Sequence, residues 1–242
     1  MPHGTDLPPG GWSALLVGHQ WPAAASLAAL RAAAAQRSDG GLELHSYADL
    51  IGSITAGSLI HQDGVTAESL RALFSRGEDH ARTLAEKQGA KHRSYDSAIR
   101  SVEALRADLA ELASSGNAAI HEVAESDAPV AAKVTAIVDI ITQANTDANV
   151  KAASCVGNIH AATQSVLDLD ATGASARAFA MSHGYDIDLH RCSPAPDAIR
   201  QRVHQHLDRQ HSGAADSDAE AGAPFPESAA AVIVARTFGR QR

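Results

Sequence analysis

Histidine side chains collect near the C-terminal end of the 242-residue chain, where their type suggests metal ligation. His204 and His206 fall in a short stretch predicted to form an amphipathic helix, and His211 follows it at the start of the predicted tail. Residues two positions apart on a helix point about 200° away from each other, so His204 and His206 cannot bind one ion. We therefore interpret these histidines as solvated side chains on a helix surface.

A second arrangement, Cys155 with His190 and Cys192, contains ligands that soft metals prefer. These residues lack the paired spacing of protein metal sites, so the sequence predicts neither a metal site nor a cofactor. Cys155 falls on the apolar face of a long predicted helix, where a free cysteine behaves as a small hydrophobe. With only two cysteines the chain has no disulfide framework, and the sequence leaves open whether Cys155 and Cys192 pair.

Two pairs of carboxylates have the residue type needed for acid–base chemistry: Asp168 with Asp170, and Asp186 with Asp188. Neither pair has a histidine companion or a glycine-rich phosphate loop beside it. Carboxylate pairs of this kind are common at helix ends. The sequence therefore predicts no catalytic residues, and a protein that is not an enzyme.

The composition favours long helices. Apolar residues make up 45% of the chain, but alanine supplies much of that share and aromatic residues only 4%. Alanine is a strong helix former with little surface to bury, so thin, close-packed helical seams are expected. The formal charge of −8 and the pI near 5.9 argue against nucleic acid or an anionic membrane as the main partner.

The sequence also predicts where in the cell the protein is made and whether it inserts into a membrane. Residues 1–6 carry no basic region followed by an apolar run, so no signal peptide of the general secretory type is predicted. No apolar stretch approaches the roughly 20 residues that cross a bilayer, which predicts no stable membrane insertion. We expect a protein made in the cytoplasm, with any passage to the envelope or medium by a signal-peptide-independent route.

Two long apolar stripes at three- and four-residue steps dominate the middle of the chain. They predict helices over about 66–126 and 130–170, separated by a turn at Pro129. Neither stripe can bury its seam alone, so the two should fold back on each other. The predicted fold is all-α: a long antiparallel helical hairpin, or elongated helix bundle, with short flanking helices.

The predicted organisation has four parts. Residues 1–11 are expected to be disordered, 12–190 to form the helical bundle, and 191–210 to form a linker with a short amphipathic helix. Residues 211–242 are expected to be a disordered acidic tail with a short apolar end. Within the bundle, the Ser-Asp-Gly-Gly run at 38–41 predicts a break or kink.

A series of short motifs opens the helical region: Gly11-Trp12, then Trp21-Pro22, then Leu30-Arg31 followed by two alanines. This series resembles the Trp-x-Gly (WXG-like) helical domains at the N-termini of actinobacterial type VII (ESX) secretion substrates and of channel or necrotising toxins. The close likeness covers about residues 10–36. The Gly-Asp step that usually follows Trp-Pro in that family is replaced here by alanines.

The family often carries a Tyr-x-x-x-Asp/Glu export signal, and none of the three tyrosines at 47, 95 and 185 has an acidic residue four positions on. The nearest variants are His45-x-x-x-Asp49 and His204-x-x-x-Asp208. The second lies after the hairpin, roughly where such signals sit in the family. His204 and Asp208 are therefore the candidate export-signal variant.

The resemblance implies a secretion-associated substrate or effector-leader protein that acts by helix association and not by catalysis. Its partner would be another helical WXG-like protein or a cytosolic secretion chaperone, in a homo- or heterodimer. Trp12, Trp21, Pro22, Leu30 and Arg31 are the candidate partner-binding residues on this reading. The two tryptophans equally fit a packing role at the entry of the bundle.

Two other functions stay open. The chain could be a cytosolic helical adaptor or scaffold with no export role, since alanine-rich helices serve many functions. Its thirteen histidines also suit a metal-responsive or pH-responsive helical regulator.

Overall fold

The computed structural model describes residues 6–184 and 194–211, with side chains described as far as residue 207. Within these residues 82% are helical and none lies in a strand, so the prediction of an all-α fold is confirmed. The helices are α1 (Ser13–Leu16), α2 (Ala24–Gly57), α3 (Val65–Glu125), α4 (Val130–Leu169), α5 (Ala176–Ser182) and α6 (Pro196–His211).

The long helix α3 organises the molecule. Its 61 residues span about 90 Å at 1.5 Å per residue. α4 runs antiparallel along its C-terminal half, which confirms the predicted hairpin of 66–126 with 130–170. α2 runs antiparallel along the N-terminal half of α3 and somewhat beyond it, since Arg31 near the start of α2 pairs with Glu103 at 2.5 Å. Only the middle of α3 is therefore flanked by both neighbours.

The packing of α3 follows a seven-residue repeat, the spacing of a coiled-coil seam. One position of this repeat is buried or half-buried in every repeat over most of the helix length. Its members are Ala67, Phe74, Ala81, Gln88, Tyr95, Val102, Leu109 and Gly116. Tyr95, Val102 and Leu109 of this series are buried in the bundle core, whereas Phe74 and Gln88, nearer the N-terminus of α3, are half-buried.

The thick part of the core lies where α1 and α6 join α3 and α4. Ile137 and Ile141 of α4 are completely buried there, as is Leu109 of α3. α6 contributes Ile199 and Val203 to the same core. The segment predicted as a linker with a short helix thus supplies a structural member of the bundle from Pro196 onward.

Gly116 marks a close contact between α3 and α1. A Cβ atom at this position would lie 2.7 Å from a side-chain carbon of Leu16 in α1. Leu16 is completely buried. The missing side chain is therefore what allows α1 to rest on α3.

The predicted break at 38–41 is wrong, because α2 continues through it. Gly41 is buried against α3, and a Cβ there would be 3.6 Å from Cβ of Gln88 and 3.8 Å from the carbonyl oxygen of Ala85. At this point the glycine allows α2 and α3 to approach closely, and it does not break the helix. Strong helix formers on both sides maintain the helix.

The predicted disorder of 1–11 is wrong for residues 6–11, which pack against the bundle. The Asp6 carboxylate pairs with Arg106 of α3 at 2.7 Å. Gly10 takes a positive φ of 130°, and a Cβ there would collide with the Asn117 amide. Residues 1–5 and the tail from 212 onward lie outside the described residues, as do 185–193.

Candidate association surface

Trp12, the first of the motif residues, lies inside the bundle. Its ring packs on His206 of α6 with 4.0 Å between ring centroids. Its backbone N–H donates to Oδ1 of Asn117 at 3.0 Å. Trp12 therefore joins α1, α3 and α6, which is the packing role that the sequence left open.

Trp21 and Pro22 form a joint at the start of α2. The Arg106 guanidinium lies 4.4 Å from the centroid of the Trp21 ring, within cation–π range, and donates to the carbonyl oxygen of Pro22. The same guanidinium binds both oxygens of Asp6, at 2.7 and 3.0 Å. Asp6 in turn accepts from the backbone N–H of Ala24 at 2.6 Å, so a distant carboxylate caps the α2 N-terminus.

This joint holds Asp6 in its charged form. The hydrogen bonds from Arg106 lower the pKa of the Asp6 carboxyl, burial opposes them, and the Ala24 N–H and Trp21 add smaller downward effects. A carboxylate, a guanidinium and an indole thus fix the angle at which α2 meets α3.

Leu30 and Arg31 lie about two turns further along the chain, in α2, and face different surroundings. Leu30 is buried in the core cluster. Arg31 is exposed and reaches Glu103 across the α2–α3 interface. Leu30 and Arg31 therefore do not form one open surface together with Trp12 and Trp21.

The candidate export-signal pair lies on α6. His204 is exposed there, and the side chain of Asp208 is outside the described part of the chain. His190 and Cys192 also fall outside it. In the ranges 6–184 and 194–207, no group of three His, Cys, Asp or Glu side chains is placed to hold a metal ion.

Cys155 is buried in α4 among apolar side chains. Burial raises the pKa of its thiol to about 12. A thiol held in this neutral form is a poor nucleophile and a poor metal ligand. Both properties fit a packing role for Cys155, as its position on the apolar face predicts.

A small polar network lies where α1 meets α4. The Asn145 amide donates to the carbonyl oxygens of Leu15 at 3.2 Å and Ile141 at 2.7 Å. Beside it, Oδ1 of Asn149 accepts from Gln20 at 2.7 Å and lies 3.2 Å from Nε2 of His19. Burial lowers the pKa of His19, so the imidazole is neutral here.

The far end of the α2–α3 pair forms an arm, which we define as residues 41–57 of α2 and 65–85 of α3. α4 does not reach it, because Asp170, just after α4 ends, pairs with Lys91 at 3.0 Å and Lys87 at 3.6 Å. At the tip, Arg71 donates to the carbonyl oxygens of Leu59 and Gln62. These bonds tie the connecting loop to α3.

One side of the arm is ionic. Arg82 pairs with Glu78 at 2.9 Å along α3 and with Asp49 across the seam at 3.0 Å. A Cβ at Gly52 would lie 3.2 Å from the Glu78 carboxylate, so this glycine makes room for the cluster. The charges of this cluster are therefore paired within α2 and α3, without a third helix.

The opposite side of the arm is apolar and open. At 100° per residue, Tyr47, Leu50 and Ile54 of α2 fall within about 60° of one another, on the side away from Asp49. Leu70 and Leu73 of α3 fall on the same side of the seam by the same geometry. Tyr47 is 55% exposed, Leu50 56% and Leu73 58%, so large apolar side chains face solvent here.

The apolar side continues a face that is buried elsewhere. Leu105, Ala98 and Lys91 stand seven residues apart on α3, and the first two are buried in the bundle core. The same series runs on past the end of α4 as Leu84 and, two repeats later, Leu70. The arm therefore exposes an apolar stripe where its covering helix stops.

The sequence gives these arm residues helical spacing and predicts that Leu73 of the long helix needs further cover, but it does not identify the surface that Leu73 forms with Tyr47 and Leu50. A signal was present, because α2 carries two parallel stripes at three- and four-residue steps. Gly41, Leu44, Ala48 and Ile51 make the seam, and Tyr47, Leu50 and Ile54 make the second stripe. Two stripes are wider than one antiparallel partner can cover.

Among the described residues, no helix is both long and apolar enough to cross a membrane. No protein-family model matches the chain, and no solved structure matches it. It is similar to an uncharacterized protein of Mycobacterium tuberculosis, Rv2082, with 34% identity over 188 residues. The match covers 76% of this chain but 25% of the relative, so the chain spans about a quarter of that protein's length.

Proposed function

We propose that this protein is a non-catalytic, type VII secretion-associated helical substrate or leader protein that docks a helical partner on the apolar side of its arm. The observation that carries the association is the open stripe of Tyr47, Leu50 and Leu73 opposite a self-satisfied ionic side. The secretion assignment rests on the Gly-Trp, Trp-Pro and Leu-Arg series of the sequence.

The physical argument is one of unburied surface. Burial of apolar area contributes about 25 cal/mol per Å², and aromatic and leucine side chains dominate that gain at interfaces. A helix laid along the arm would cover the stripe much as α4 covers α3 in the bundle. Its apolar residues would follow three- and four-residue steps, as in other helix-in-groove contacts.

The motif residues support the proposal indirectly. Trp21, Pro22 and Arg106 set the start of α2, and so the direction in which the arm projects. The partner we propose is a second helical hairpin of the same secretion pathway or a cytosolic chaperone. The protein would be made in the cytoplasm and exported by the type VII system, with His204 and Asp208 as the export-signal variant.

Site-specific photo-crosslinking in the native host tests the association. A benzophenone amino acid placed at Leu50 should crosslink to a helical protein, identified by mass spectrometry. The same group placed at Asp49, one residue away on the ionic side, is the matched control and should crosslink far less. Equal crosslinking at the two positions, or none at Leu50, would contradict docking on this side.

Export is tested separately by assaying the culture medium. We expect the wild-type chain in the medium of a host with an intact type VII system and its loss when the system's ATPase is deleted. His204→Ala with Asp208→Ala should reduce export without changing crosslinking at Leu50. A chain that crosslinks a partner but stays in the cytosol would instead be a helical adaptor or scaffold.

A further inference from the structure

A second open surface lies on the bundle side of the molecule, in the groove between α3 and α4. It has a volume of about 710 Å³ and runs from Ala90 to Ala104 on α3, opposite Asn158 to Ser165 on α4. Fourteen residue steps of α3 correspond to about 21 Å, so the groove is long and narrow.

Small side chains make the walls of this groove. Apart from two arginines and Asn158, every residue that lines it is alanine or serine: Ala90, Ser94, Ser97, Ser101, Ala104, Ala161, Ala162 and Ser165. Helices pack with 8–10 Å between axes, and small contact residues allow the shortest distances. Walls of this kind admit a third helix close to the α3 and α4 backbones.

Ser94 adds a polar group to the wall of the groove. The residue as a whole is 7% exposed and lines the groove. Its side-chain oxygen stays accessible from the groove and makes no hydrogen bond with any residue in 6–184 or 194–207. It can therefore donate to, or accept from, a molecule that docks there.

The charge of the groove differs from that of the chain. Arg93 and Arg100 line it, both exposed and neither in an ion pair with any described residue. No lining residue is acidic, although the whole chain carries a formal charge of −8. Arg31 and Arg106 nearby are instead paired with carboxylates.

We propose that this groove binds an acidic helix of a partner polypeptide. Arg93 and Arg100 are seven residues apart, which places their Cα atoms about 10.5 Å apart along one face of α3. Carboxylates seven residues apart on the docked helix match that spacing, and charge-assisted hydrogen bonds to guanidinium are the strong ones. The site is separate from the arm and takes a ligand of different chemistry.

The probe is a fluorescein-labelled, alanine-based helical peptide of about 18 residues, roughly 27 Å long, with two glutamates seven positions apart. Fluorescence anisotropy against the full chain should show saturable binding, and a peptide with glutamine in place of both glutamates should bind at least about tenfold more weakly. Arg93→Gln with Arg100→Gln should weaken binding of the glutamate peptide by a similar factor.

A matched pair with the same charge change, Arg76→Gln with Arg200→Gln, should bind within twofold of wild type, since both residues are exposed and away from the groove. Ala161→Phe, which fills the groove from an exposed position, should abolish binding, whereas Ala153→Phe on α4 outside the lining should not. Melting curves that coincide with wild type exclude unfolding as the cause.

Absent binding of the glutamate peptide, or equal losses in the groove and control variants, would overturn the proposal. Full competition by inorganic phosphate at constant ionic strength would also overturn it, because it would reveal a small-anion site with no need for a helix. Variants of the arm such as Leu50→Asp should leave the peptide affinity unchanged, so this test is independent of the proposed arm function.

Discussion

The bundle end and the arm are built on the same helix and differ in what covers it. At the bundle end, α3 packs against α4 and α1, α6 packs on α4, and isoleucine, leucine and valine fill the shared core. In the arm, α3 meets α2 alone, and large apolar side chains outside the seam are turned outward. Stability is therefore concentrated at one end and unused binding surface at the other.

The difference shows that a long amphipathic helix can pack against different numbers of helices at different points along its length. At the bundle end, where several helices surround α3, its apolar residues are buried in the core. In the arm, where α3 contacts only α2, the apolar residues beside the seam remain exposed. Those exposed residues are the ones available to another molecule.

The largest contrast should come from placing one charge in each region. Ile137→Asp puts an unpaired carboxylate in the bundle core and should lower the free energy of unfolding by roughly 4 kcal/mol. Leu50→Asp puts the same group on the open side of the arm and should change it by about 0.5 kcal/mol or less. Urea unfolding followed by circular dichroism measures both, and similar losses would mean that the arm's apolar side is covered in the folded chain.

Adding one methyl group at two helix glycines gives a smaller contrast of opposite sign. Gly116→Ala places a Cβ against completely buried Leu16, and this overpacking should cost about 1–3 kcal/mol. Gly157→Ala meets nothing within 4 Å and should stabilise α4 by about 0.5–1 kcal/mol through helix propensity. Thermal melting checks the pair, and stabilisation by Gly116→Ala would show that α1 does not rest on α3 as described.

The smallest expected effect is the pH dependence of the bundle end. The pKa of His19 is lowered in the folded chain by burial, so the unfolded chain binds a proton more readily. Stability should therefore be complete above the ordinary pKa of about 6.5 and decline as the pH falls below it.

His19→Gln should flatten this decline between about pH 7 and pH 5, while His80→Gln, an exposed position in the arm, should leave it unchanged. Unfolding midpoints in urea across that pH range provide the measurement. An unaltered slope in His19→Gln would place the responsible histidine elsewhere.

The all-α class and the α3–α4 hairpin could be predicted because periodicity and Pro129 are local signals. Helix bounds of Val65–Glu125 and Val130–Leu169 agree with the predicted 66–126 and 130–170 to within a residue or so. The break at 38–41 could not be judged correctly in the same way. Whether Gly41 ends a helix or admits a neighbour depends on Ala85 and Gln88 of α3, which lie more than forty positions further along the chain.

The surfaces were harder to predict than the helices. The exposure of Leu50 depends on where α4 ends in space, and the Asp6–Arg106 joint connects residues 100 positions apart. The Arg93–Arg100 groove likewise arises only when α4 lies beside α3. Periodicity identifies which residues are apolar, and only the arrangement of neighbours decides which of them stay open.

The continuity of α3 has a mechanical consequence. No proline interrupts its 61 residues, and the helix is continuous through its glycines at 77, 89 and 116. The arm and the bundle thus share one rod and not a flexible linker. From Lys91, where α4 stops, to Leu70 near the tip is about 32 Å of helix. α3 therefore acts as a spacer that holds anything bound at the tip at a set distance and rotation from the bundle.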